Sequence, residues 1–476
     1  MFFPFSSLAL AHTISLLGWI YVRGLMLKKY SSIIKNGLVF IISVTVLTLG
    51  FYQNEWRAAG KKWFYDWKDY QQFMLVGRLV ETRQNGVLSH SGFIGIGDGD
   101  NWLDANADLV QHQMDVYLNS GAFEKFSAYD TEPAFYSIIF GLIDELTDFS
   151  PGLNLKIFRA ISSFLTATAL ALFIVWVGIE FNLFAAGLTL LFSMVSEWLA
   201  LAGGSMYWNL WVYYLPFLCV LFYLLRVSHS GKYSFGKLFL IVYVSVFVTG
   251  LFRGFLFITT TLIMLTVPLV YYALRDKWSW PIFAKRMFQI GISAMISTFS
   301  ALMILILQIT LEKNSFGAAL AHIQDSLLKR SVGNPDQFGG ILAESLRAST
   351  LDVLMTYLQG RAINLNSVFS VRVSWFEITY LSIFAFFAIS SILFFLKGYL
   401  IGRSTKHNQS LALIFATWFS ALAPLSWLIM FKAHSYIHTQ MNFMLWQMPF
   451  ALFGFAMCGF VLSNLFQATS SNEKMA

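Results

Sequence analysis

Eleven apolar runs, each close to the length that crosses a bilayer, constrain this chain more than any other feature. A hydrocarbon core about 30 Å thick takes about 20 apolar residues per helix. Runs of that kind lie near 2–22, 36–53, 157–179, 182–202, 206–226, 237–251, 255–274, 287–311, 374–396, 409–431 and 443–465. One water-soluble core cannot bury so many. The 476 residues are 57% hydrophobic and 12% charged, against about 25% charged in a typical soluble domain. Disordered, collagen-like and disulfide-scaffold chains are excluded on the same grounds. The two cysteines, Cys219 and Cys458, both sit inside apolar runs and offer neither a disulfide framework nor a zinc cluster. The expected fold is an all-α polytopic membrane protein with about 11 transmembrane helices and two extracytoplasmic loop regions containing amphipathic helices.

The scarce charge divides the chain. Helices in 1–52, 157–311 and 374–476 alternate with two long polar segments, 53–156 and 312–373. The 2–22 run, with no small-residue cleavage site after it, reads as a span, an interfacial helix or an uncleaved signal-like segment. Connections at 23–35, 226–237, 275–286 and 397–408 carry Arg23, Lys28, Lys29, Lys35, Arg226, Lys232, Lys237, Arg275, Lys277, Lys285, Arg286, Lys397, Arg403 and Lys406 against one carboxylate, Asp276. Short cationic connections face the cytoplasm. Counting spans from them puts both long segments, the 251–254 turn and the 432–440 turn on the opposite face. The formal net charge of +7 thus reports topology, not a nucleic-acid partner.

Fifteen of the 25 carboxylates fall in 53–156. Carboxylates beside an apolar surface are costly unless paired, solvated or used. Asp66 with Asp69, and Asp98 with Asp100 and Asp104, form two clusters able to supply a general base. Their structural alternative is plain: Asp104 suits a helix N-cap, and Asp98-Gly99-Asp100 suits a turn. A calcium loop is disfavoured because no acid occupies the final ligand position of the twelve-residue pattern. The spacing predicts helices over 71–84 and 104–120, and, after Tyr136, an amphipathic run to Leu146 that lies along the membrane surface.

Polar residues at the same face complete the candidate set. Arg253 lies between two apolar runs, where an arginine needs an anionic partner, and Glu197 raises the same question. In the 432–440 turn, Lys432, His434 and His438 form a candidate cationic receptor for a lipid-linked phosphate. Lys432 also suits snorkelling at the interface, and two histidines without a carboxylate make a weak zinc signal. The 312–373 segment, with amphipathic stretches at 318–330 and 340–358, reads as a cap over the outer face.

Four stretches now resemble the GT-C class of integral-membrane glycosyltransferases. They are Asp66-Trp67-Lys68-Asp69-Tyr70, the Arg78–Gly86 helix end, Glu132-Pro133-Ala134-Phe135-Tyr136, and the His434-Ser435-Tyr436-Ile437-His438 turn before a Trp-containing span. The resemblance implies inverting transfer of a sugar from a polyprenyl-phosphate donor to a glycan, lipid or protein acceptor, on the non-cytoplasmic face of a membrane, most simply a bacterial inner membrane. It implies Asp69 as base, Asp66 as second choice, and substrate contacts from Arg78, Glu132, Glu197, Arg253, Lys432, His434 and His438. The chain departs from the pattern through an insertion, 87–128, bearing Asp98 and Asp100 as further candidates, and through Glu132-Pro133 in place of a Pro-Pro pair. The expected partners are the lipid-linked donor, the acceptor and membrane lipids. No cofactor beyond the donor is expected, and a divalent metal is compatible but not indicated. Two alternatives remain from the sequence: a polymerase or ligase of lipid-linked glycans, and a transporter or flippase.

Overall fold

The computed structural model describes residues 33–99, 107–400 and 407–473. The 2–22 run, Asp100, Asp104 and the cations Arg23, Lys28, Lys29, Arg403 and Lys406 lie outside the described residues. Among the described residues seven helices are long and apolar enough to cross a membrane: Ile33–Gln53, Pro151–Glu180, Trp211–Ser230, Phe235–Arg253, Ile258–Arg275, Trp280–Lys313 and Asn408–Met430. A bent pair, Thr439–Gln447 and Phe450–Asn464, kinked by 40°, is an eighth if counted as one span. The protein is a multi-pass helical membrane protein.

Besides that bent pair, two of the expected runs depart from a single span. The 182–202 run divides, because the Leu183–Val195 helix stops at Ser196, whose side chain caps a new helix, Glu197–Gly203. Thirteen residues rise only about 20 Å, short of the bilayer core. Ser196 also pairs with Ile363 in the second long segment, a tertiary contact that outcompetes helical continuation. The 374–396 run begins instead at Tyr380, since Glu377–Thr379 is drawn into an antiparallel pair with Arg361–Asn364. A second short pair joins Gly95–Gly97 to Phe126–Ala128. These two short strand pairs interrupt the helices among the described residues.

Contacts sort the connections onto two ends. At one end Glu180 receives Arg275 at 2.6 Å and the hydroxyls of Tyr271 and Tyr272 at 3.0 and 3.2 Å. Gln409 donates to the Glu180 backbone oxygen, and Arg275 also reaches Ser228. The Arg286 guanidinium lies over the Trp278 ring at 3.9 Å. At the other end, Asp130 of the first long segment meets Lys313 at 2.8 Å and His322 at 3.1 Å in the second. The Tyr357 hydroxyl donates to the Ser435 carbonyl at 2.7 Å. Among the described residues, the cation-rich connections 226–237 and 275–286 therefore gather at one end with the start of the Asn408–Met430 helix, and both long segments with the 432–440 turn gather at the other.

The Lys61–Asn85 helix organises that second end. Its Arg83 makes a two-pronged contact with Asp144, which also accepts from Tyr117 at 2.6 Å and Asn154 at 2.7 Å. One charge thus ties the Phe135–Leu146 helix and the start of the Pro151–Glu180 helix to this scaffold. Near the helix start, Lys68 is buried and donates to the carbonyls of Phe51 and Tyr52, both at 2.8 Å. Gly204 lets this junction close: a Cβ there would sit 2.3 Å from the Phe51 carbonyl and 3.0 Å from Lys68 Nζ.

Burial lowers the Lys68 ammonium from 10.5 to about 7, with Arg159 adding repulsion and Asp69 opposing it. In the unfolded chain the group keeps its ordinary value. Between about 7 and 10.5 the unfolded chain therefore holds more protons, so stability rises with pH across that window. Below it the cost of the buried charge is fully present. Lys68→Met should flatten this part of the profile of melting temperature against pH in detergent. An unchanged slope would show that Lys68 does not titrate there.

Candidate functional site

Where the two long segments meet the 251–254 and 432–440 turns, a cavity of about 300 Å³ opens. The Lys61–Asn85 helix contributes Tyr70, Gln71, Phe73 and Met74, and the loop before the Phe135–Leu146 helix contributes Tyr129, Thr131 and Glu132. Arg253 ends one spanning helix, Arg330 follows the Phe316–Leu328 helix, and His434, His438 and Gln440 come from the 432–440 turn.

Glu132 and Arg253 form the floor. Arg253 is fully buried and Glu132 nearly so. Arg253 Nη1 donates to Glu132 Oε1 at 3.2 Å and to the Tyr207 carbonyl at 2.7 Å, and Nε donates to the Tyr213 hydroxyl at 3.1 Å. The Tyr136 hydroxyl donates to the same Oε1 at 3.0 Å, so Glu132 Oε2 accepts no hydrogen bond from a described residue. The guanidinium lies 4.3 Å from the Tyr207 ring centroid, an aromatic seat that favours a cation. Gly254 makes this approach feasible. It closes the helix at φ +55°, in the left-handed region, and a Cβ on it would stand 3.0 Å from Glu132 Cβ.

Two donors in this site lack partners. Arg253 Nη2 is buried with no hydrogen-bond partner among the described residues, and an unmade bond from a charged donor is costly. The Arg330 side chain, half-buried at the rim, makes no ion pair with a described residue. Two arginines face one carboxylate, so the lining is net positive and suits an anion.

The histidines contribute differently from a cationic receptor. Burial, His438 and Arg330 hold His434 well below its ordinary value. Burial and Arg330 hold His438 at about 4. Both are neutral at pH 7, with ring centroids 4.6 Å apart, and act as hydrogen-bonding groups. Burial raises Glu132, against the opposing Arg253 charge. Among the described residues no group of three or more His, Cys, Asp or Glu side chains is arranged to hold a metal ion.

Of the residues singled out from the sequence, Glu132, Arg253, His434 and His438 come together here. The others among the described residues do not line the cavity, and each has a local reason. Asp69 accepts from Arg159 at 2.7 Å and from Gln72 at 3.3 Å, while Asp66 is exposed. Asp98 staples its loop, accepting from the backbone N–H groups of Glu124 and Lys125 at 2.8 and 3.3 Å and facing His112 at 3.0 Å. Burial opposes its ionisation, yet these partners hold it below the usual carboxylate range. Arg78 donates to the carbonyls of Ser89, Gly86 and Val87, fixing the turn after its own helix. Glu197 takes both arms of Arg361 at 2.6 and 2.8 Å. Lys432, expected beside Arg253, donates instead to the carbonyls of Leu346 and Ala348 at 3.1 and 2.6 Å. There it satisfies the C-terminal end of the Gly340–Arg347 helix.

Arg330 was missed. Its only sequence signal is a cation closing an amphipathic stretch, which ordinarily means a solvated face. Tyr70 and Tyr129 also line the cavity without having been singled out from the sequence. Comparison with protein-family models, curated proteins and solved structures finds no match for this chain.

Proposed function

We propose that the protein is a membrane glycosyltransferase that moves a sugar from a polyprenyl-phosphate donor to an acceptor hydroxyl on the non-cytoplasmic face. The observation that carries this reading is a buried arginine, Arg253, which lines the same cavity as Glu132 and whose Nη2 has no hydrogen-bond partner among the described residues. Arg253 and Arg330 would hold the donor phosphate. Glu132 Oε2 would take the proton from the acceptor hydroxyl as its oxygen attacks the anomeric carbon. The bond from that carbon to the phosphate oxygen breaks with its electron pair, and the configuration inverts. The charge that develops on the departing phosphate is met by fixed donors. Burial makes Glu132 a stronger base than an exposed carboxylate. The cation-rich connections at the opposite end support the outer placement, since such connections are retained in the cytoplasm.

The base is reassigned from Asp69 to Glu132 because Asp69 is already engaged by Arg159 and lines no part of the cavity. The test is transfer from radiolabelled polyprenyl-phosphate hexoses and pentoses in membranes holding each variant. Asp66→Asn, Asp69→Asn and Asp98→Asn are expected to retain activity within about tenfold of the parent, well short of the loss for a missing base. If Asp69→Asn abolishes transfer and Glu132→Gln does not, the assignment to Glu132 falls.

A further inference from the structure

A second recess, about 620 Å³, opens on the same end of the molecule, between the outer end of the Ile33–Gln53 helix and the Leu365–Phe369 helix. It shares no lining residue with the Glu132 cavity. Its polar wall sets Arg57, Lys61 and Arg372 against one carboxylate, Glu55. Glu55 already accepts from Gln53 at 3.1 Å, and Arg57 donates to Ser370 Oγ at 2.8 Å. Lys61 and Arg372 are exposed and form no ion pair with a described residue. Arg57 and Ser370 both take left-handed backbone, φ 53° and 57°, a conformation that persists for such residues only where the surroundings hold it.

The recess does not end at its charges. Glu55 and Arg57 also line an adjoining cleft of about 530 Å³. Its remaining wall is apolar, built from Leu191 and Val195 at the end of the short Leu183–Val195 helix, and from Leu365 and Phe369. Leu191 and Phe369 are 50% and 61% exposed. A cationic pocket opening into an apolar cleft, beside a helix too short to fill the bilayer, matches the shape and charge of one molecule: a lipid with an anionic head.

We propose that the joined recess binds a membrane phospholipid with an anionic headgroup, its phosphate against Arg57, Lys61 and Arg372 and one acyl chain along the Leu191–Phe369 cleft. Such a lipid sets an anion against the three cations and covers the apolar wall at once. The site would pin the Leu365–Phe369 helix to the turn between the Ile33–Gln53 and Lys61–Asn85 helices. This inference is independent of sugar transfer.

The full chain is reconstituted in phosphatidylcholine vesicles doped with a photoreactive phosphatidylglycerol, with photoreactive phosphatidylcholine as the parallel probe. The labelled peptides are then mapped by mass spectrometry. Labelling by the anionic probe is expected within 191–195 and 365–369, well above that by the zwitterionic one. Arg372→Gln should lower it about fivefold, the weight of one basic side chain beside an anionic lipid. Combining it with Arg57→Gln and Lys61→Gln should reduce labelling to the zwitterionic level. Arg372 is exposed and unpaired, so the single variant remains informative if the triple variant inserts poorly. Equal labelling by both probes, labelled peptides elsewhere, or no change in Arg372→Gln would overturn the proposal.

Discussion

Glu132→Gln is expected to lower sugar transfer by about a hundredfold to ten-thousandfold, the usual contribution of a positioned proton acceptor. The amide matches the carboxylate in shape and still accepts from Tyr136, so the cavity wall is conserved while the base is removed. Because the substitution also takes away the partner of Arg253, Glu132→Asp provides the second arm. It retains the negative charge and the ion pair but withdraws the carboxylate by one methylene. A misplacement of about 1 Å costs about a hundredfold in a positioned reaction. Both variants are assayed beside a measurement of monodisperse, inserted protein. Full transfer in Glu132→Gln would remove Glu132 from the chemistry.

Arg253→Met should be the most destabilising single change in the molecule. The guanidinium is fully buried, and the Glu132 side chain is 5% exposed, so screening by water is slight. Removing one partner of a buried pair leaves the other charge uncompensated and costs about 3–5 kcal/mol. Adding Glu132→Gln to Arg253→Met removes the orphaned charge, so the double variant should be more stable than Arg253→Met alone. Thermal unfolding of the four proteins in one detergent measures this coupling. Additive losses, with no recovery in the double variant, would show that the pair does not act as a unit. Such a result would separate the structural role of Arg253 from its proposed grip on phosphate, which the transfer assay reads.

Particular elements show how far the sequence can be read. The Pro151–Glu180, Trp211–Ser230 and Trp280–Lys313 helices follow directly from continuous apolar runs, because hydrophobic length is a property of the chain itself. The 182–202 run looked equally continuous, yet Ser196 divides it by pairing with Ile363, a residue far along the chain. In the site, Glu132 and Arg253 were legible because charge near apolar runs is conspicuous. Lys432 was equally conspicuous, and its ammonium went to the carbonyls of Leu346 and Ala348. Arg330 was inconspicuous, one cation among many on an amphipathic segment, yet it lines the cavity.

The sequence by itself determined that the chain is a helical membrane protein and which connections gather at each end. Apolar length and the sorting of cations between connections are one-dimensional quantities, and no contact is needed to state them. Only the tertiary structure decided which charges are spent on the scaffold and which face a cavity. Arg253 finds Glu132 across 121 residues, Arg159 finds Asp69 across 90, and Lys432 finds the Leu346 carbonyl across 86. Pairings at that separation depend on how helices pack, and no local periodicity encodes them. The chemistry open to a buried charge is set by the partner that reaches it first.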